Sequence, residues 1–224
     1  MELWKLVLPE PGIGPCDAAA IANPLLLSGR EVEAALVDLN PLAGAGAALP
    51  AGLSAPVAAV RSGRIVPESD DETDRVDASR RTWSDEGRTR FEEAWHELAG
   101  EAESRGVRLW LHPHAGDVIG DVPGLRALAS RAVACGSGVL LEPAVLLTAS
   151  MIPDAEDHFA RIVEPLESSG LVRAVLVANT DGHDRCPIGE GQIEPGVLVE
   201  LARRVAAWAP VAVLNGDGTA LGMA

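Results

Sequence analysis

The sequence predicts an α/β fold of the TIM-type (β/α) barrel class, incomplete, with seven recognisable strands. Three observations predict it. Short apolar runs alternate with helical patterns and carry no hairpin signal, which calls for parallel strands joined by right-handed crossovers. Two of those runs, Leu109-Trp110-Leu111 and Gly138-Val139-Leu140-Leu141, end in an ionisable residue and then proline (His112-Pro113 and Glu142-Pro143), as a buried parallel strand does when its C-terminal end opens into a site. A chain of 224 residues, 47% apolar, is long enough to bury one core of this kind, so residues 1–224 are read as a single domain.

Residues 1–9 alternate apolar and polar positions and read as the first strand, stopped by Pro9, Pro11, Gly12 and Gly14. Asp17 is placed to cap a helix beginning in Ala18-Ala19-Ala20-Ile21. Residues 31–39 form the second strand, ended by Asn40-Pro41, and the Ala/Gly-rich stretch 43–51 reads as a poor helix or a loop. Residues 56–61 are the third strand, closed by Ser62-Gly63. Residues 65–83, with the acidic run 68–74, read as a solvated excursion, with a lid over the site as the functional alternative.

The clearest helix spans 85–105, where Phe91, Trp95, Leu98 and Ala102 make one apolar face and Gly106 ends it. From there strands at 107–111, 139–141, 174–178 and 211–214 alternate with helices at 122–134, 154–166 and 195–207. An open doubly wound sheet is the rival fold. It would be favoured by a GxGxxG turn after the first strand, and Gly12-Ile13-Gly14 is followed by Pro15 and Cys16 instead.

Composition removes several functions. A net charge of −15 argues against nucleic acid, whose binding needs a basic face. No apolar run is long enough to span a bilayer and no signal-type segment opens the chain, so a cytoplasmic protein is expected. Three cysteines (Cys16, Cys135 and Cys186) without CxxC spacing make neither a disulfide framework nor a zinc site. Lys5 is the one lysine and there is no tyrosine, which leaves little room for Schiff-base or phenol chemistry.

If strand C-termini share one mouth, that mouth gathers Glu10, Asp38, Arg61, His112, His114, Glu142, Asn179, Asp181, His183 and Asn215. Glu10 and Asp38 also suit turns and caps. Arg61 suits a structural ion pair as well as an anionic substrate. His112 and His114 bracket a proline at a strand end, and a carboxylate at Glu142 is costly after an apolar strand unless it is paired or works.

These segments resemble a known family. His112-Pro113-His114-Ala115-Gly116-Asp117 is similar to the Glu-Pro-His-x-Gly-Asp segment of xylose-isomerase-like TIM barrels, the sugar-phosphate isomerase/epimerase group related to apurinic endonucleases. Residues 141–147 (Leu-Glu-Pro-Ala-Val-Leu-Leu) resemble its Leu-Asp-Pro-Ala-Asn-Leu-Leu, and residues 187–193 its Pro-Leu-Gly-Glu-Gly-x-Ile loop. Residues 55–63 resemble its Ala-Pro-Val-x-x-Val-x-Ser-Gly strand, so the likeness runs from about residue 30 to 216. It also aligns Glu2-Leu3-Trp4 with the family's second strand, which implies that a first βα unit is missing, leaves an exposed edge and makes a homodimer the expected assembly.

The resemblance implies a divalent metal held by Glu, Asp, His and Glu. Carried over, these positions hold His112, Glu142, Leu176 and Asn215, a thin donor set for a hard cation. The expectation is therefore no cofactor and no metal of the family type, with a rearranged set of His112, Glu142, Asp181 and His183 as the alternative. The expected activity is isomerase/epimerase-like or lyase-like acid/base chemistry on a small polar carbonyl or sugar-type substrate. His112 and Glu142 are the expected acid and base, with His114 completing the catalytic group or, with Arg61, holding the substrate. Asp181, His183, Arg185, Glu190 and Asn215 are expected to line the substrate site. A metal-dependent isomerase with a rearranged site and a non-catalytic scaffold subunit are the competing functions.

Overall fold

The computed structural model describes residues 4–5, 19–27, 30–44, 47–53, 55–132, 138–182, 185–209 and 212–214. Its strands are β1 (Trp4–Lys5), β2 (Ala19–Leu27), β3 (Arg30–Val37), β4 (Val57–Val60), β5 (Arg108–Leu111), β6 (Gly138–Leu141), β7 (Val172–Val177), β8 (Asn179–Thr180), β9 (Arg185–Cys186) and β10 (Ala212–Leu214). The helices are α1 (Glu72–Thr82), α2 (Asp85–Ser104), α3 (Val122–Ala132), α4 (Ala155–Val163) and α5 (Pro195–Ala206). Eight strands form one sheet in the order β1-β10-β7-β6-β5-β4-β3-β2, parallel throughout except for the β2–β3 pair.

Strand periodicity sorts the side chains onto two faces. Ala34, Leu36, Val57, Ala59, Trp110, Leu140, Ala174 and Leu176 make a core built from strands alone. Their neighbours in sequence face the other way and meet the helices: Val60 and Leu109 pack with Leu98 and Ala102 of α2, and Leu141 and Val175 pack with Phe159 and Leu198 of α4 and α5. A doubly wound sheet carries helices on both faces; here α1, α2, α3, α4 and α5 all contribute to the outer cores. The edge strands β1 and β2 also come within 8 Å of each other, so the sheet curls toward closure. The fold is an incomplete (β/α) barrel with Trp110 inside it. No helix among the described residues is long and apolar enough to cross a membrane.

Three expectations are corrected. The alanine-rich segment after Asp17 is strand β2, not a helix, and it adds an eighth strand to the sheet. Its antiparallel register, from Ala19↔Leu36 to Leu27↔Arg30, outweighs alanine's helix propensity. The register shifts between Ile21 and Leu25, the interval that holds Pro24, as an edge strand tolerates. The absence of hairpins fails here and again at β8–β9. The acidic excursion contains helix α1, which sequence periodicity misses because it buries only Ala78 and Thr82. Its ends hold it: Asp71 accepts from the Thr73 N–H, Glu72 and Asp74 lie in the first turn, and Arg80 and Arg81 lie in the last.

The remaining elements follow the sequence closely. The α2 face is as expected, with Phe91, Leu98 and Ala102 buried and Ser84 as N-cap accepting from the Glu86 N–H.

Candidate active site

The inward face of each strand continues one step past the strand's end. Arg61 follows Ala59 on β4, His112 follows Trp110 on β5, and Glu142 follows Leu140 on β6, each two residues on and on the same side. The barrel rule thus converts three separate sequence positions into neighbours. The His112 N–H donates to the Val60 carbonyl at 2.8 Å, which extends the β4–β5 ladder and sets His112 beside Arg61.

Two carboxylates organise the cluster. Asp117 is fully buried and accepts from Arg61 Nε at 3.0 Å and Nη2 at 2.8 Å. The Gly63 N–H donates to the same carboxylate, and the Gly63 φ of +78° brings its Cα so near Asn40 that a Cβ would meet Oδ1 at 2.4 Å. Glu142, also fully buried, accepts from His112 Nε2 at 2.9 Å and from Arg185 through Nε and Nη2, both at 2.5 Å. His114 Nε2 lies 3.2 Å from His112 Nδ1, with the rings edge-to-face at 4.4 Å between centroids.

Arg185 reaches Glu142 from the β8–β9 hairpin, which pairs Thr180 with Arg185. Asn179 fastens that hairpin to the loop beyond it. Its side chain donates to the Ile193 carbonyl and accepts from the Ile193 N–H, both at 2.9 Å. Gly191 presses so closely on Asn179 that a Cβ there would lie 2.3 Å from Oδ1.

Burial sets the protonation. It pushes Glu142 up, but the Arg185 charge and the hydrogen bonds from His112 and Arg185 more than reverse it, leaving the carboxyl at about 2. Burial lowers His112 despite Glu142, and burial with the nearby His112 and Arg61 lowers His114 to about 2. At neutral pH Glu142 is ionised and both imidazoles are neutral. A carboxylate only accepts, so His112 carries its proton on Nε2 and accepts on Nδ1; His114 then donates from Nε2 and keeps a lone pair on Nδ1.

Of the expected site residues, Arg61, His112, His114, Glu142 and Arg185 come together. Asp181 and Glu190 stand exposed on turns beside the β8–β9 hairpin. Glu10, His183 and Asn215 lie outside the described residues, as do Cys16 and Cys135. Sequence reasoning missed Asp117 as the holder of Arg61; the signal available was a lone acid between Gly116 and the apolar Val118-Ile119. Two clefts among the described residues, of about 810 and 820 Å³, lie beside Trp83 and Phe91 and beside Ile152 and Gln192; neither is lined by His112, His114 or Glu142.

Both Glu142 oxygens are engaged by Arg185 and His112, and Leu176, in register with Glu142 one step beyond Leu141↔Val175, packs in the barrel core. Among the described residues no three His, Cys, Asp or Glu side chains are grouped to hold a metal ion.

No family model matches the chain, and no curated protein matches it. Among solved structures it is similar to a D-tagatose 3-epimerase-like protein, at 15% identity over 73% of this chain and 56% of that one, with a TM-score of 0.44. It is similar to a xylose isomerase-like TIM barrel protein from Mycobacterium smegmatis in complex with magnesium, at 14% identity over 71% of this chain and 54% of that one, TM-score 0.38. It is also similar to the IOLI protein with a binding zinc atom, at 12% identity over 75% of this chain and 56% of that one, TM-score 0.42. The chain spans about half the length of these three.

Proposed function

We propose that the chain is an isomerase/epimerase-like or lyase-like enzyme that moves a proton on a small polar carbonyl or sugar-type compound without a metal. The observation that supports this reading is the chain His114–His112–Glu142–Arg185 at the barrel mouth. In it Arg185 supplies to Glu142 the positive charge that a cation supplies in the family.

The roles follow from burial. Glu142 is 0% exposed and His112 is 4% exposed, so neither is the group that meets substrate; His114, half-buried, is. His114 Nδ1 takes the proton next to the carbonyl, and the resulting imidazolium donates from Nε2 to His112. Glu142 and His112 are positioning residues: they fix the tautomer and orientation of His114 and stabilise its charge, as the buried acid does in acid–histidine catalysis. This reverses the assignment made from sequence, in which His112 and Glu142 acted directly.

The non-catalytic scaffold is the second reading. It is favoured by the same burial and by the absence of His112, His114, Glu142 and Arg185 from the lining of both clefts. One experiment separates them. The protein, treated with a chelator, is incubated in D2O with α-hydroxy aldehydes, α-hydroxy ketones and keto acids, and carbon-bound proton exchange is followed by NMR. Exchange by the wild type that falls about 10²–10⁴-fold in His114→Ala is expected. No exchange with any compound supports the scaffold; exchange that appears only on adding Mg2+, Mn2+ or Zn2+ overturns metal independence.

A further inference from the structure

We propose that Arg61 and Arg185 together form a clamp for one carboxylate, so that the substrate of the site proposed above is a small keto acid or hydroxy acid. The inference rests on that reading of the site and adds the substrate class.

Each guanidinium is built the same way. A fully buried carboxylate, Asp117 or Glu142, binds Nε and Nη2, which fixes the plane and direction of the fork. Among the described residues nothing receives Nη1 of either arginine. The two side chains remain 24% and 19% exposed while their carboxylate partners are 0% exposed, so each presents its remaining edge outward. They flank the histidines: Arg61 is beside His112 on the β4 side, and Arg185 meets His112 across Glu142 on the β6 side. An anion held by both Nη1 edges therefore sits next to His114. Planar donor forks fit a carboxylate with two near-parallel bonds.

Charge decides between anions. Arg61 and Arg185 are each paired with a buried acid, the exposed Asp38 adds a further negative charge near Arg61, and the chain as a whole carries −15, so the site has no net positive charge to offer. Such a site compensates a single negative charge through directed N–H groups and compensates a phosphate dianion poorly. Anion binding also suits the chemistry, because a negative charge beside His114 raises its basicity from a resting value poorly matched to a carbon acid.

The test is titration calorimetry with pyruvate, hydroxyacetone and dihydroxyacetone phosphate, which share a three-carbon ketone and differ in charge. Pyruvate is expected to bind at least 10-fold more tightly than either of the others. Arg61→Met is expected to lose that preference; because it leaves Asp117 unpaired, Arg61→Met/Asp117→Asn is the companion variant that removes both charges, and it is expected to behave alike. His114→Ala is expected to keep the preference. Equal affinity for pyruvate and hydroxyacetone, no detectable binding of pyruvate, or a preference unchanged in both Arg61 variants overturns the clamp, and tightest binding of dihydroxyacetone phosphate overturns the carboxylate assignment. Pyruvate binding without proton exchange on any compound leaves the clamp standing and sinks only the proposed activity. Exchange on hydroxyacetone unaffected by the Arg61 variants does the reverse.

Discussion

Replacing Glu142 by Gln tests the centre of the site. The side chain keeps its shape and loses its charge. In the wild type the carboxyl is held at about 2 against an ordinary 4.5. At 1.36 kcal/mol per pH unit, its surroundings favour the carboxylate over the neutral acid by about 3 kcal/mol. Two further losses point the same way. The amide's NH2 faces either Arg185 or His112 Nε2, both donors, and the Arg185 guanidinium, 19% exposed, is left without its counter-charge. Breaking one side of a buried ion pair costs about 3–5 kcal/mol. Urea unfolding near neutral pH is the assay. The single variant is expected to lose about 3–5 kcal/mol, while Glu142→Gln/Arg185→Met, which removes both charges, recovers most of it. A single variant within about 1 kcal/mol of wild type refutes the claim that a buried, ionised Glu142 is the anchor of the cluster.

Acid should weaken the fold below the ordinary histidine value of 6.5, because folded His114, held at about 2, binds fewer protons than the unfolded chain. Stability is full above that value and is lost as pH falls towards 2, by about 1.4 kcal/mol per pH unit for each such histidine; His114→Gln should remove one histidine's share of the slope between about pH 7.5 and 5.5, measured by urea unfolding, and an unchanged slope counts against a neutral His114. Trp110→Ala empties the strand-only core, where Trp110 is 2% exposed, and should cost about 3–5 kcal/mol in the same assay; a loss under about 1 kcal/mol says the barrel interior is not packed as described. Gly191→Ala drives a methyl group into Asn179 and shifts the loop fastened to the β8–β9 hairpin. It should therefore lower exchange activity more than it lowers the melting temperature, and unchanged kinetics would show that the loop does not position Arg185.

Much of the fold was legible because strand and helix periods differ. The α2 face reads directly from Phe91, Leu98 and Ala102, and the apolar runs at β5 and β6 gave both strands. Strand β2 was not legible, because Ala19-Ala20 favours a helix locally and becomes a strand only by pairing with Leu36 and Ala35. Helix α1 was not legible either, since it is held by its caps and terminal charges rather than by an apolar stripe.

By itself the sequence determined the parallel βα order and the polar residues at the strand ends, because hydrophobic period and the residues that close each run are local properties. It named Arg61, His112, His114, Glu142 and Arg185 as members of one site. Tertiary structure alone decided who bonds to whom. Arg185 lies 43 residues from Glu142 in the chain and Asp117 lies 56 from Arg61, and no periodicity links positions so far apart. Only the curl of the sheet and the β8–β9 hairpin brought each guanidinium to its carboxylate.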